Sequence, residues 1–210
     1  MAFSQTNVNG VYLQNGKTTE VDTKSPHNEN TTKVPVVLYF SNGLSTQIDT
    51  NSEFSIDEFV QVIYNTNSYP EKVKFGESSL TVSLNNGTAY FVYPENDTNS
   101  ECLVSTPLVD VKLHKGSFYV VVTDNSVLVI AVDGSCNVGS KKEEKQITPG
   151  SALLVVPNNI GILDSKISLN AQKIKPEVLN KLNTTIKQLS DVQNRVIFVR
   201  IDGKIIGISL

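Results

Sequence analysis

A chain whose apolar segments are all short and are closed by turn pairs leaves little room for buried helices or crossover connections. That is the pattern from Val34 to Leu163. Val36–Phe40 meets Asn42-Gly43, Leu44–Ile48 and Phe54–Ile56 follow, and Asn86-Gly87 separates Leu80–Leu84 from Thr88–Tyr93. Leu103–Ser105, Val109–Leu113 and Ser117–Val122 then lead to Asp124-Asn125, and Val127–Val132 leads to Asp133-Gly134. Cys136–Val138, a charged tip at Lys141–Lys145 and Ala152–Val156 complete the run. Asn-Gly and Asp-Gly enter the positive-φ region readily and so close two-residue hairpins. Parallel strands need crossovers of a dozen or more residues. At least eight short strands in mainly antiparallel sheets are therefore expected, folded as an all-β sandwich or roll. Side-chain chemistry agrees: Val, Ile and Thr make up 59 of 210 residues, and branching at Cβ favours strand over helix.

Both ends differ from this β domain, whose expected span is 34–165. Residues 1–33 are polar, with Gly10, Gly16, Pro26 and one apolar patch at Val8, Val11, Tyr12 and Leu13. They are expected to form an arm, either disordered or donated as a strand to a neighbouring sheet. Residues 166–210 are expected to form an appendage. Pro176 suits a first helical turn, Glu177 complements the dipole there, and Leu179, Leu182, Ile186 and Leu189 recur along one face through about Gln193. That predicts one C-terminal amphipathic helix. Val196–Ile201 and Lys204–Ser209 flank Asp202-Gly203, which predicts a terminal type I′ β-hairpin. A terminal strand on a sheet edge offers unpaired backbone groups to another subunit. Residues 57–64 fit either a short helix or a strand.

Few residue types suited to chemistry are present. The formal net charge is -3 and the pI about 5.4, so no basic field draws in nucleic acid or anionic lipid. No apolar run approaches the roughly 20 residues that span a bilayer. The start, Met-Ala-Phe-Ser-Gln-Thr-Asn, lacks the basic and apolar regions of a secretory leader, which fits a cytoplasmic protein or a mature exported one. His27 and His114 are the two imidazoles, Arg stands only at positions 195 and 200, and Trp is absent. The nucleophile-elbow, zinc-protease, dinucleotide and phosphate-loop signatures are missing. His114 has Ser117 and Cys136 as conceivable partners, yet a structural histidine is the expectation. Asp57-Glu58 and Glu143-Glu144 are adjacent pairs, solvated rather than spaced as an acid and a base. A non-enzymatic protein without cofactor is the expectation. The adjacent aromatics Tyr39-Phe40, Tyr90-Phe91 and Phe118-Tyr119 should each place one ring inward and one outward, and carbohydrate stacking on the outward rings is a minor alternative.

Two features remain. Cys102 and Cys136 lack metal or redox spacing, and two outcomes stay open: a disulfide between adjacent antiparallel strands, or burial as two thiols. The pentapeptide Asp-Thr-Asn-Ser-Glu occurs at Asp49–Glu53 and again at Asp97–Glu101. Asp-x-Asn-x-Glu presents oxygens at alternate positions as calcium loops do, making Asp49, Asn51, Glu53, Asp97, Asn99 and Glu101 candidate calcium ligands. Neither copy carries the glycine or the twelfth-position glutamate of an EF-hand, so a duplicated strand-turn-strand unit is the stronger expectation.

Ordered short motifs point to a family. They are Val82-Ser83-Leu84 leading to Gly-Thr-Ala-Tyr-Phe at residues 87–91, Ser105-Thr106-Pro107, Lys115-Gly116-Ser117-Phe118-Tyr119-Val120, Val127 to Gly134 ending Val-Asp-Gly, and Ile147-Thr148-Pro149-Gly150. With the earlier Ser41-Asn42-Gly43 and Asn51–Phe54, residues 36–157 resemble the FecR-type domain, the β module of iron-citrate sensors and related bacterial envelope proteins. The resemblance implies an all-β module that works by binding and has no catalytic residues to carry over. Regulatory members carry a sigma-factor-binding segment and a membrane helix ahead of the domain, and this sequence has neither. The leading expectation is thus an extracellular or periplasmic structural subunit that associates with itself through its terminal strands. A periplasmic signalling or ligand-sensing module is the alternative, and a carbohydrate-binding adhesin a lesser one.

Overall fold

The computed structural model describes residues 5–22, 27–31, 34–64, 71–72, 74–93, 100–140, 143–157 and 172–210. Within them the chain forms β1 (Gln5–Asn9), β2 (Val11–Gln14), β3 (Lys17–Glu20), β4 (His27–Thr31), β5 (Val36–Phe40) and β6 (Ser45–Ile48). Next come β7 (Ser52–Tyr64), β8 (Glu71–Lys72), β9 (Lys74–Tyr93), β10 (Glu101–Ser105), β11 (Asp110–Thr123) and β12 (Ser126–Ser140). β13 (Glu143–Ile147), β14 (Ser151–Val155), β15 (Gln172–Lys173), α1 (Pro176–Gln193), β16 (Val196–Ile201) and β17 (Lys204–Ser209) complete it. The fold is all-β with one helix and a terminal hairpin, as the turn and periodicity signals predict. No helix among the described residues is long and apolar enough to cross a membrane.

Fourteen strands share one sheet, which turns back on itself into two layers because β9, β11 and β12 each serve in both. One layer, called here the helix layer, runs β3-β2-β5-β6-β9-β11-β12-β14-β15. The other, the open layer, places β1 and β4 beside β7 and continues β9-β10-β11-β12-β13. A single core fills the space between them. In the open layer Phe59, Leu80, Cys102, Leu113, Cys136 and Ile147 pair in one cross-strand row. Ile48, Ala89, Val120, Val129 and Leu153 make a row of the helix layer. All eleven are buried in the same apolar cluster. The outer side of the helix layer is apolar too, and Leu182 and Ile186 of α1 are buried over it, clustering with Tyr90, Tyr119 and Ile130, while Leu189 is buried one turn further along the helix.

Several expectations need correction. Within the expected arm, residues 5–20 form β1, β2 and β3 of the main sheet, and Tyr12 and Val21 belong to its core. Asn15 (φ 47) and Gly16 (φ 76) close a β2–β3 hairpin by the same chemistry as Asp202 (φ 49) and Gly203 (φ 79) at the C-terminus. Residues 57–64 are strand, within β7. The strands are not all short, since β9 spans 20 residues and β12 spans 15. The pairing is mainly antiparallel, as expected, with β10 running parallel to β9.

The long strands explain why two turn predictions failed. Asn86-Gly87 and Asp133-Gly134 close no hairpin; they sit inside β9 and β12 where those strands pass from one layer to the other. The β11–β12 crossing pairs Gly116 (φ 130) with Gly134 (φ 72). A Cβ on Gly134 would stand 1.8 Å from the Lys115 carbonyl oxygen, and one on Gly116 would stand 2.4 Å from that of Asp133. Only residues without Cβ allow the backbones to come this close at positive φ.

Candidate functional site

In each copy of the duplicated pentapeptide the serine ties one strand to another. Ser52 of the first copy accepts a hydrogen bond from the Thr88 N–H at 3.0 Å, and Ser100 of the second accepts one from the Ser78 N–H at 3.1 Å. Each copy thus clips a new strand onto β9 through its serine, a role invisible in a search for carboxylate ligands. Glu53 pairs with Asn86 and Glu101 with Ser79. Seven residues of extended strand, roughly 23 Å, separate those two positions on β9. In the first copy the Asp49 carboxylate accepts from Gln47 at 3.1 Å, Asn51 takes the left-handed turn conformation at φ 59, and Glu53 is exposed. Glu101 of the second copy pairs with Lys112 at 2.7 Å, while Asp97 and Asn99 lie outside the described residues. Among the described residues no three His, Cys, Asp or Glu side chains converge as metal ligands do.

The cysteines do not form the disulfide left open above. Cys102 pairs with Leu113, and Leu113 pairs with Cys136, so a whole strand lies between them. Two strand spacings are about 9.6 Å, beyond the Cα separation a disulfide spans. Both are free, buried thiols, and burial pushes each up to about 12. They act as small core residues.

The aromatic pairs divide as strand geometry requires: Phe40, Phe91 and Phe118 point into the core. Of their neighbours, Tyr90 and Tyr119 lie beneath α1 with ring centroids 4.7 Å apart. Both of these rings are half-buried. Burial first, then the neighbouring Tyr119 and Asp49, push Tyr90 up to about 12.

A cleft of about 480 Å³ opens at the β11–β12 crossing, lined by Tyr93, Ser100, His114, Lys115, Gly134, Ser135 and Pro149. Its geometry follows from a register shift. Leu113 pairs with Cys136 and Gly116 with Gly134, so two residues of β11, His114 and Lys115, oppose the single residue Ser135. In a regular strand neighbouring side chains point to opposite faces. A two-against-one bulge re-aims a side chain, and here both His114 and Lys115 line one cleft with Ser135. His27 opens β4 at the far margin of the open layer, where it pairs with Ile56.

Two strand edges contrast. β13 pairs only with β12 among the described residues, and its sequence Glu-Glu-Lys-Gln-Ile is charged. Its Lys145 lies opposite the buried Val138, and a charge on the inward side of an edge strand discourages further pairing. β17 is the edge of a second sheet, β17-β16-β8. One face of that hairpin leans on the main sheet: Phe198 packs on Phe75 at 6.1 Å, Leu13 lies against Gly207, and the Gly207 N–H donates to Thr18 Oγ1 at 2.8 Å. The pairs Ile197–Ile208, Val199–Ile206 and Ile201–Lys204 put five aliphatic side chains and one lysine on the opposite face. None of the five belongs to either core cluster, although Val199 at the centre of that face is buried and Ile197, Ile201 and Ile206 are half-buried. Ile208 is 38% exposed and the following Leu210 is 74% exposed.

No protein-family model and no curated protein matches the chain. Two crystal structures of a putative anti-sigma factor from Parabacteroides distasonis are similar to it at 12% and 11% identity. They cover 99% and 89% of this chain, and 100% and 95% of their own, each with a TM-score of 0.39. A TM-score at that level does not establish a shared fold.

Proposed function

We propose that the protein is a non-catalytic structural subunit of the bacterial envelope or extracellular space, with a FecR-like β domain, and that it associates with itself through its terminal strand β17. The observation that carries this reading is the contrast between its edges. β13 is guarded by charge, whereas β17 carries the exposed Ile208 and is followed by the exposed Leu210. Solvent-exposed apolar surface next to an edge strand favours docking of another β surface. The occupant is a second copy of the chain, the aliphatic face of its terminal hairpin packing against this one, because the Gly207 N–H on the outer edge of β17 is already bonded to Thr18. Such a self-complementary contact closes as a two-fold dimer, from which longer assemblies grow by a further contact.

Size-exclusion chromatography with light scattering, across a wide concentration range, tests the contact. Wild-type chain is expected to self-associate, and I208K combined with L210K should weaken association at least tenfold without lowering the thermal midpoint, since both side chains are exposed. A wild-type chain that stays monomeric at high concentration, or a double variant that assembles as before, overturns the proposal.

A further inference from the structure

We propose that the cleft at the β11–β12 crossing is a binding site for a small anionic group, a carboxylate or a tetrahedral oxyanion, held by Lys115 with His114 and Ser135. The site is separate from the β17 contact and does not depend on it. Three observations carry it. The bulge sets two nitrogen-bearing side chains from consecutive positions, together with the Ser135 hydroxyl, around one opening of about 480 Å³, within the size range of small-ligand clefts. The wall is held open by Gly134, where a Cβ would collide with the Lys115 backbone, so the crossing keeps the backbone close and the cleft free of a side chain. The charge is also uncommitted. Glu101, next to Ser100 in the wall, is neutralised by Lys112 at 2.7 Å, and Asp133 is exposed. Among the described residues neither Lys115 nor His114 has a side-chain hydrogen-bond or ion-pair partner. An ammonium group beside hydroxyl donors recognises an anion by charge-assisted hydrogen bonds.

Titration of the full chain with inorganic phosphate, sulfate and acetate tests this, followed by amide and side-chain NMR shifts at constant ionic strength set with chloride. At least one anion should give saturable shifts centred on His114, Lys115 and Ser135. Preference for phosphate and sulfate assigns a tetrahedral oxyanion, and preference for acetate a carboxylate. K115M should weaken binding at least tenfold and S135A by a few fold, with unchanged thermal midpoints; H114Q is a second, conservative check. Absence of saturable shifts with all three anions overturns the proposal, as does binding of equal strength in folded K115M.

Discussion

The two outer faces of the sandwich are built partly from the same three strands yet meet opposite fates. On the helix layer Tyr90, Val92, Tyr119, Leu128 and Val132 point outward, and α1 covers them. On the open layer Ser55, Ser83, Ser105 and Asp110 pair in one row across β7, β9, β10 and β11. There Asp57 accepts from Ser55 at 2.7 Å and from Ser83, and Asp110 accepts from Ser105 at 2.9 Å. Both layers turn apolar side chains inward, so the inner pattern does not tell them apart. The outer pattern does: an apolar outer side needs a cover, and a hydroxyl-carboxylate side satisfies itself. One strand can carry both patterns because its outer residues change character where it crosses between layers.

The crossing is therefore the point at which the contrast breaks most severely. Gly134→Ala places a methyl group against the Lys115 carbonyl at positive φ, and a loss above about 3 kcal/mol is expected. Denaturant unfolding measures it, and a change within about 0.5 kcal/mol would show that the strands cross without needing close contact.

Removing part of the cover comes next. Leu189 is 3% exposed, so Leu189→Ala should cost about 2–4 kcal/mol. The same cover acts on Tyr90, whose folded value is raised to about 12 from 10.0. A raised folded value means that the folded chain holds this proton more tightly than the unfolded one. The stability it contributes is complete below pH 10 and fades as pH rises through 12. Ultraviolet titration should show Tyr90, alongside the also raised Tyr39, ionising late in the wild type, with Tyr90 ionising earlier once α1 is loosened. A Tyr90 that titrates normally in the wild type would mean that α1 does not shield it.

On the open face the effect is smallest. Ser105→Ala removes one hydrogen bond to Asp110 on a half-buried surface where water can replace it, for a loss below about 1 kcal/mol. A loss comparable with that of Leu189→Ala would mean that the row is part of the packing and not a solvated face.

Much of this architecture is legible in the residues. Pro176, Glu177 and the spacing of Leu182, Ile186 and Leu189 mark α1 as it stands, and Asp202-Gly203 marks its hairpin. Asn15-Gly16 carried the same hairpin signal, but the polar residues around it concealed that Val11, Tyr12 and Leu13 are buried. Asn86-Gly87 and Asp133-Gly134 were misleading for a physical reason. Glycine at positive φ serves a turn and a strand crossing equally well, and only the partner strands distinguish them. The cleft was hidden likewise, because His114, Lys115 and Ser135 share a side only through a register shift between two strands.

The sequence by itself determined most of the strands between Val36 and Val155, the helix and the terminal hairpin, because these follow from local periodicity and turn chemistry. Only the tertiary structure decided which strands span both layers, that Cys102 and Cys136 are held apart by Leu113, and which residues meet at the crossing. Those outcomes depend on pairing between segments far apart in the chain. A one-residue change of register there sends side chains to the other face, and nothing local records it.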